Sequence, residues 1–222
     1  MNFIKKIKAV LFDMDGTILD TERIHKNCWE QAMSEMKIDF APDTFNDLVG
    51  LNDKSIFEYF QKRYAFTEAM YKEMSALARK LSEEYGAEKG FPVKKGFFEL
   101  SDYIIKNGIK TAVVTSSFRS KAICNLKIAG IDIPFDIIIG GDSVSCGKPS
   151  AEPYLKAAKE LGFTPSDCIA VEDSANGIKS VHNAGIKCVY IKDVSNVPPE
   201  VTALAEYKAE SLDEIIEIIE KI

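Results

Sequence analysis

Histidine is scarce in this sequence. Only His25 and His182 occur among 222 residues, so histidine triads and histidine-rich metal centres are poorly supplied. The five cysteines, Cys28, Cys124, Cys146, Cys168 and Cys188, are odd in number and never spaced C-x-x-C. That excludes a disulfide framework or a zinc ribbon and fits reduced thiols in the cytoplasm. No long basic run or basic, aromatic-rich stripe is present, and the formal net charge is −6, which argues against nucleic acid as a partner. Long apolar runs are missing too. The stretch Ala9–Phe12 behind the basic start is too short for a signal peptide and stops at Asp13; nothing approaches a membrane span. A cytoplasmic monomer with no membrane partner is expected.

What is present suits a full core with a charged surface: 46% hydrophobic and 28% charged residues. Short Val- and Ile-rich runs, Lys8–Phe12, Lys110–Val114, Phe135–Ile139, Cys168–Val171 and Lys187–Ile191, read as buried parallel strands. Amphipathic stretches Phe97–Lys106, Arg119–Ala129, Glu152–Leu161 and Ala175–Asn183 lie between them, each followed closely by Gly108, Gly130, Gly162 or Gly185. This alternation predicts an α/β fold, a doubly wound parallel sheet with a Rossmann-like core. One connection departs from it. Residues 18–90 read as helix after helix, with apolar spacing over Thr21–Met36, Asp53–Tyr64 and Thr67–Tyr85. A structureless loop of that length is not expected in a compact domain, so the stretch reads as an inserted α-helical cap on a core of residues 1–17 and 91–222.

Ligands in open α/β sheets bind beyond the carboxyl ends of the strands. The residues there are Asp13-Met14-Asp15-Gly16-Thr17, Thr115-Ser116-Ser117, Gly147-Lys148-Pro149 and Glu172-Asp173-Ser174. Gathered on one rim, four carboxylates repel; a pair about 4 Å apart costs about 4 kcal/mol at an effective dielectric near 20. Oxygen donors without histidine or cysteine call for a hard cation, Mg²⁺ before Ca²⁺. The hydroxyls and Lys148 complete an anion cradle.

These four segments, in this order and spacing, resemble the motifs of the haloacid dehalogenase superfamily across the whole chain. The insertion after the first motif resembles its helical-cap branch, which includes β-phosphoglucomutase and many sugar-phosphate and nucleotide phosphatases. The resemblance implies that Asp13 attacks phosphorus and forms an aspartyl-phosphate, while Asp15 serves as acid and then base. It implies that Thr115 and Ser116, with Ser117 beside them, hold the phosphoryl group and that Lys148 orients Asp13. Asp13, the Asp15 backbone carbonyl and Asp173 would bind Mg²⁺, with Glu172 a direct or adjacent ligand. Asp15 disfavours dehalogenation, because the dehalogenases of the superfamily lack that second aspartate.

Each segment alone has a plainer reading: a turn, a helix N-cap, a solvated lysine, or an acid pair at a helix start. His25 lies in a stretch resembling β-phosphoglucomutase and is a candidate substrate residue; Trp29 reads as cap core. Asn52 and Lys54, in the loop Gly50–Ser55, are candidates for reading the leaving group. The arginine expected there for a mutase is missing, which favours a phosphatase acting on a small phosphorylated metabolite over a mutase. A phospho-signalling receiver is disfavoured, because its aspartate follows a later strand and it carries no large helical insertion.

Overall fold

The computed structural model describes residues 7–41, 44, 48, 53–194 and 197–222, with only the backbone at 53–55. Among these residues six strands, β1 (Ala9–Phe12), β2 (Lys110–Val114), β3 (Ile137–Ile139), β4 (Cys168–Glu172), β5 (Lys187–Ile191) and β6 (Tyr207–Ala209), form one sheet in the order β3-β2-β1-β4-β5-β6. Every pairing is parallel, so all carboxyl ends share one edge. β1 lies between β2 and β4. The chain winds outward in both directions from it, which opens a crevice between β1 and β4.

The strands are apolar on both faces because both are covered. Val10 and Phe12 of β1 join one cluster with Phe97, Leu100 and Ile104 of α4 (Phe97–Lys106) and Ala122 and Leu126 of α5 (Arg119–Ile128). Ala9 and Leu11 point the other way. They meet Tyr154 and Ala157 of α6 (Glu152–Glu160) and Ile178 and Val181 of α7 (Ala175–Asn183). Two further α-helices, α8 (Pro199–Thr202) and α9 (Ile215–Lys221), belong to the same sheet-bearing part of the chain.

The insertion carries α1 (Glu22–Glu35), α2 (Asp53–Tyr64) and α3 (Glu68–Lys89). It builds its own apolar cluster, in which Phe60 is fully buried and stacked on Trp29 with ring centroids 6.0 Å apart. Trp29 thus packs as insertion core. The two connections to the sheet are paired with each other: Asp20 N donates to Pro92 O at 2.9 Å and Lys94 N to Ile18 O at 2.8 Å.

Three details differ from the sequence reading. β6 is a strand that Tyr-Lys-Ala does not announce, because a three-residue edge strand needs no apolar run. α3 continues past Tyr85 to Lys89 and ends at Gly90, whose φ of 76° suits glycine, so Gly86 is helical. Leu19 bridges Val93 in an antiparallel contact, a short piece of extended structure where only helices were read.

Candidate active site

Asp13 leaves the end of β1, with its N–H donating to Val171 O of β4 at 3.0 Å. This ladder bond aims it into the crevice. Glu172 ends β4 and Asp173 follows. Lys148 reaches in from the loop before α6, and its Nζ donates to Asp13 Oδ1 at 2.5 Å and to Glu172 Oε1 at 2.6 Å. The side chains of all four are buried there.

Glu172 is fully buried and accepts from five donors. Lys148 and the Tyr154 hydroxyl, at 2.7 Å, take Oε1; Asp173 N, Ser174 N and Ser174 Oγ take Oε2. A Cβ on Gly177 would stand 1.9 Å from Glu172 Cδ, so the carboxylate rests against the bare glycine. Ser174 also caps α7, accepting from Gly177 N at 3.0 Å. Asp173 Oδ1 accepts from Thr17 Oγ1 at 3.1 Å.

Asp15 sits one step above. Its Oδ1 accepts from Thr21 Oγ1 at 2.8 Å and its Oδ2 from Ser117 Oγ at 3.4 Å. Thr115 Oγ1 accepts from Ser117 N at 3.1 Å, which curls the loop after β2. That loop does not cap α5; Asp142 does, accepting from Arg119 N at 2.8 Å. Gly141 lies beneath it, where a Cβ would stand 2.4 Å from Ser116 O.

Burial raises the pKa of Asp13, Lys148 opposes, and Glu172 and Asp15 add to the rise. Burial also raises Asp173, reinforced by Asp13 and Glu172. Burial would lower Lys148, yet the Asp13 and Glu172 carboxylates outweigh it and hold the ammonium charged. One lysine cannot neutralise this cluster. Carboxylate oxygens of Asp13, Glu172 and Asp173 all lie within 4.8 Å of one another. A set of hard oxygen donors with excess negative charge fits a small divalent cation such as Mg²⁺.

The chain matches the profile of haloacid dehalogenase-like hydrolases over residues 10–191. It belongs to the haloacid dehalogenase-like hydrolase family. Among relatives of this hydrolase, the phosphorylated carbohydrates phosphatase of Thermotoga maritima is 25% identical over 191 residues, covering 83% of this chain and 84% of its own. Protein CbbY of Rhodobacter capsulatus is 27% identical over 194 residues, covering 83% and 85%. The solved structure of a β-phosphoglucomutase from Clostridium difficile has a TM-score of 0.78 and 26% identity, with 97% of this chain and 96% of that chain covered.

The hydrolase fold brings Asp13, Asp15, Thr115, Ser117, Lys148, Glu172 and Asp173 together on one rim. Ser116 is exposed beside them. His25 stands one turn into α1 and is half-buried; burial lowers its pKa, Asp15 opposes, and Lys121 adds to the fall. Asn52 lies outside the described residues, and of Lys54 only the backbone, in the first turn of α2, is described. Among the described residues no helix is long and apolar enough to cross a membrane.

The sequence reading did not name Tyr154 or Thr21, which hydrogen-bond Glu172 and Asp15, nor Glu22 and Asp193, whose charges act on the cluster. Tyr154 reads as one more apolar position on α6, although its hydroxyl and its ring, 5.2 Å from Lys148 Nζ, both touch the network. A buried tyrosine needs a partner for its hydroxyl, and that was the available signal. Thr21 reads only as a helix start. Glu22 is visible only once α1 is seated against Asp15.

Proposed function

We propose that this hydrolase is a Mg²⁺-dependent phosphatase of a small phosphorylated metabolite, of the sugar phosphate or nucleotide class, working through an aspartyl-phosphate on Asp13. The observation that carries the reading is the Lys148 ammonium, 2.5 Å from Asp13 Oδ1, at the crevice shared with Glu172 and Asp173. Lys148 holds one Asp13 oxygen and leaves the other to attack phosphorus. Thr115 and the Ser116 backbone hold the phosphoryl oxygens where charge develops. As the P–O bond to the leaving group breaks, Asp15 gives that oxygen its proton; it then takes a proton from the water that opens the acyl phosphate. Asp13 and Asp173 would hold Mg²⁺ with the Asp15 backbone carbonyl, while Glu172, bound by its five donors, positions Lys148 and borders the ion. When bound, the ion offsets the carboxylate charge and orients the phosphoryl group.

The name of the Thermotoga maritima relative supports a phosphorylated carbohydrate as substrate. The likeness to a β-phosphoglucomutase keeps a mutase as the second reading. A steady-state screen over sugar phosphates, nucleotides and aryl phosphates with Mg²⁺, scoring free phosphate and isomerised product, separates the two. Phosphate release that collapses in EDTA is expected. Isomerised product without phosphate release points to the mutase, and turnover unaffected by EDTA contradicts both.

A further inference from the structure

Asp193 follows β5, just beyond the family match that ends at residue 191. Its side chain is only 3% exposed, and Oδ1 pairs with Lys94 Nζ at 2.6 Å. Its other oxygen, Oδ2, is buried and has no hydrogen-bond partner among the described residues. A buried carboxylate oxygen left unmatched is costly and calls for a donor.

The backbone shows where it points. Gly16 adopts a φ of 85°, and a Cβ there would stand 2.3 Å from Asp173 Oδ2 and 3.0 Å from Asp193 Oδ2. Both acids therefore converge on the face that Gly16 leaves open. Asp193 is also among the charges that raise the pKa of Asp173, after burial, Asp13, Glu172 and Glu22. Lys94 does not serve both oxygens. It is committed to Oδ1 and lies 3.7 Å from Asp20. Mg²⁺ keeps several waters, and acidic groups outside the ligand shell commonly accept from such waters.

We propose that Asp193 is an outer-sphere anchor of the cation that Asp173 helps to hold. Its free Oδ2 accepts from a water on that cation, while Lys94 fixes the carboxylate through Oδ1. This rests on the metal reading given under the proposed function. It also ties the returning linker, which carries Lys94, to the metal site.

The test is calorimetric titration of MgCl2 into metal-stripped protein without substrate. The wild type binds, and Asp193→Asn is expected to weaken the Kd at least about tenfold, as loss of outer-shell partners does. If Lys94, stranded by that change, impairs folding, Asp193→Asn with Lys94→Met removes both charges and carries the same expectation. A Kd within about twofold of wild type, in whichever variant keeps the wild-type circular dichroism spectrum, overturns the proposal alone. An equal loss in Asp20→Asn assigns the effect to net charge and overturns it too. No Mg²⁺ binding by the wild type removes the metal reading and this inference together.

Discussion

Glu22 shows how far a side chain can be shifted by neighbours the sequence does not reveal. Burial first, then the Asp15 and Asp193 carboxylates, raise its pKa from 4.5 to about 7, against the opposing Lys94. Between those values the folded protein keeps a proton that the unfolded chain has lost. Without metal, stability therefore falls as pH rises from 4.5 through about 7, and the cost is complete above it. Glu22→Gln removes the effect. In EDTA it is expected to stabilise the protein at pH 8 by on the order of 2 kcal/mol, allowing for partial exposure, and to change nothing near pH 4, by urea unfolding. Equal stability at pH 8 would refute it. Of the residues the sequence reading named, Asp13, Thr115, Glu172 and Asp173 end or follow strands, where topology alone decides the destination, while Lys148 was named through the Gly-Lys-Pro segment in the loop between β3 and α6. Tyr154, Glu22 and Asp193 depend on helix rotation and loop path, which periodicity does not encode.

Among the elements, α7 is the one that seats the site. Its start brings bare Gly177 against the Glu172 carboxylate. Gly177→Ala forces a methyl into that contact. It is expected to cost about 1–3 kcal/mol and most of the activity, since Glu172 in turn positions Lys148. Gly108→Ala is the comparison: φ is 65° and nothing lies within 4 Å of an added Cβ, so only about 1–2 kcal/mol of backbone strain follows, with activity kept. Urea unfolding and steady-state rates on both variants check this, and a fully active Gly177→Ala would contradict it. Glycine after each of four helices and the Val- and Ile-rich runs made most core elements readable. The edge strand β6 lacks such a run. The extra turn of α3 was obscured because Gly86 resembles a stop, whereas it is helical and packs on Phe91.

At the scale of the whole molecule, the helical insertion has its own core, centred on Phe60, apart from the two clusters that flank the sheet. Its two linkers meet beside Asp15 and Asp193 through Ile18–Lys94 and Asp20–Pro92 pairing. We propose that residues 18–90 act as a lid that excludes water and reads the leaving group. Asn52→Ala and Lys54→Ala are then expected to reorder rates among substrates without altering Mg²⁺ dependence. Rates that change in one common proportion would make the insertion a bystander to selectivity. The central claim is the covalent chemistry at Asp13, and one measurement addresses it most directly. Asp15→Asn, which lacks the base for the second step, is mixed with Mg²⁺ and a nitrophenyl phosphate, whose leaving group departs without the proton Asp15 gives in the first step, and quenched in acid; borohydride then reduces any acyl phosphate, and the peptides are mapped by mass spectrometry. The account predicts reduction at Asp13, absent when Asp13→Asn is added to the variant. Label at another residue, or full turnover by Asp13→Asn alone, would contradict it.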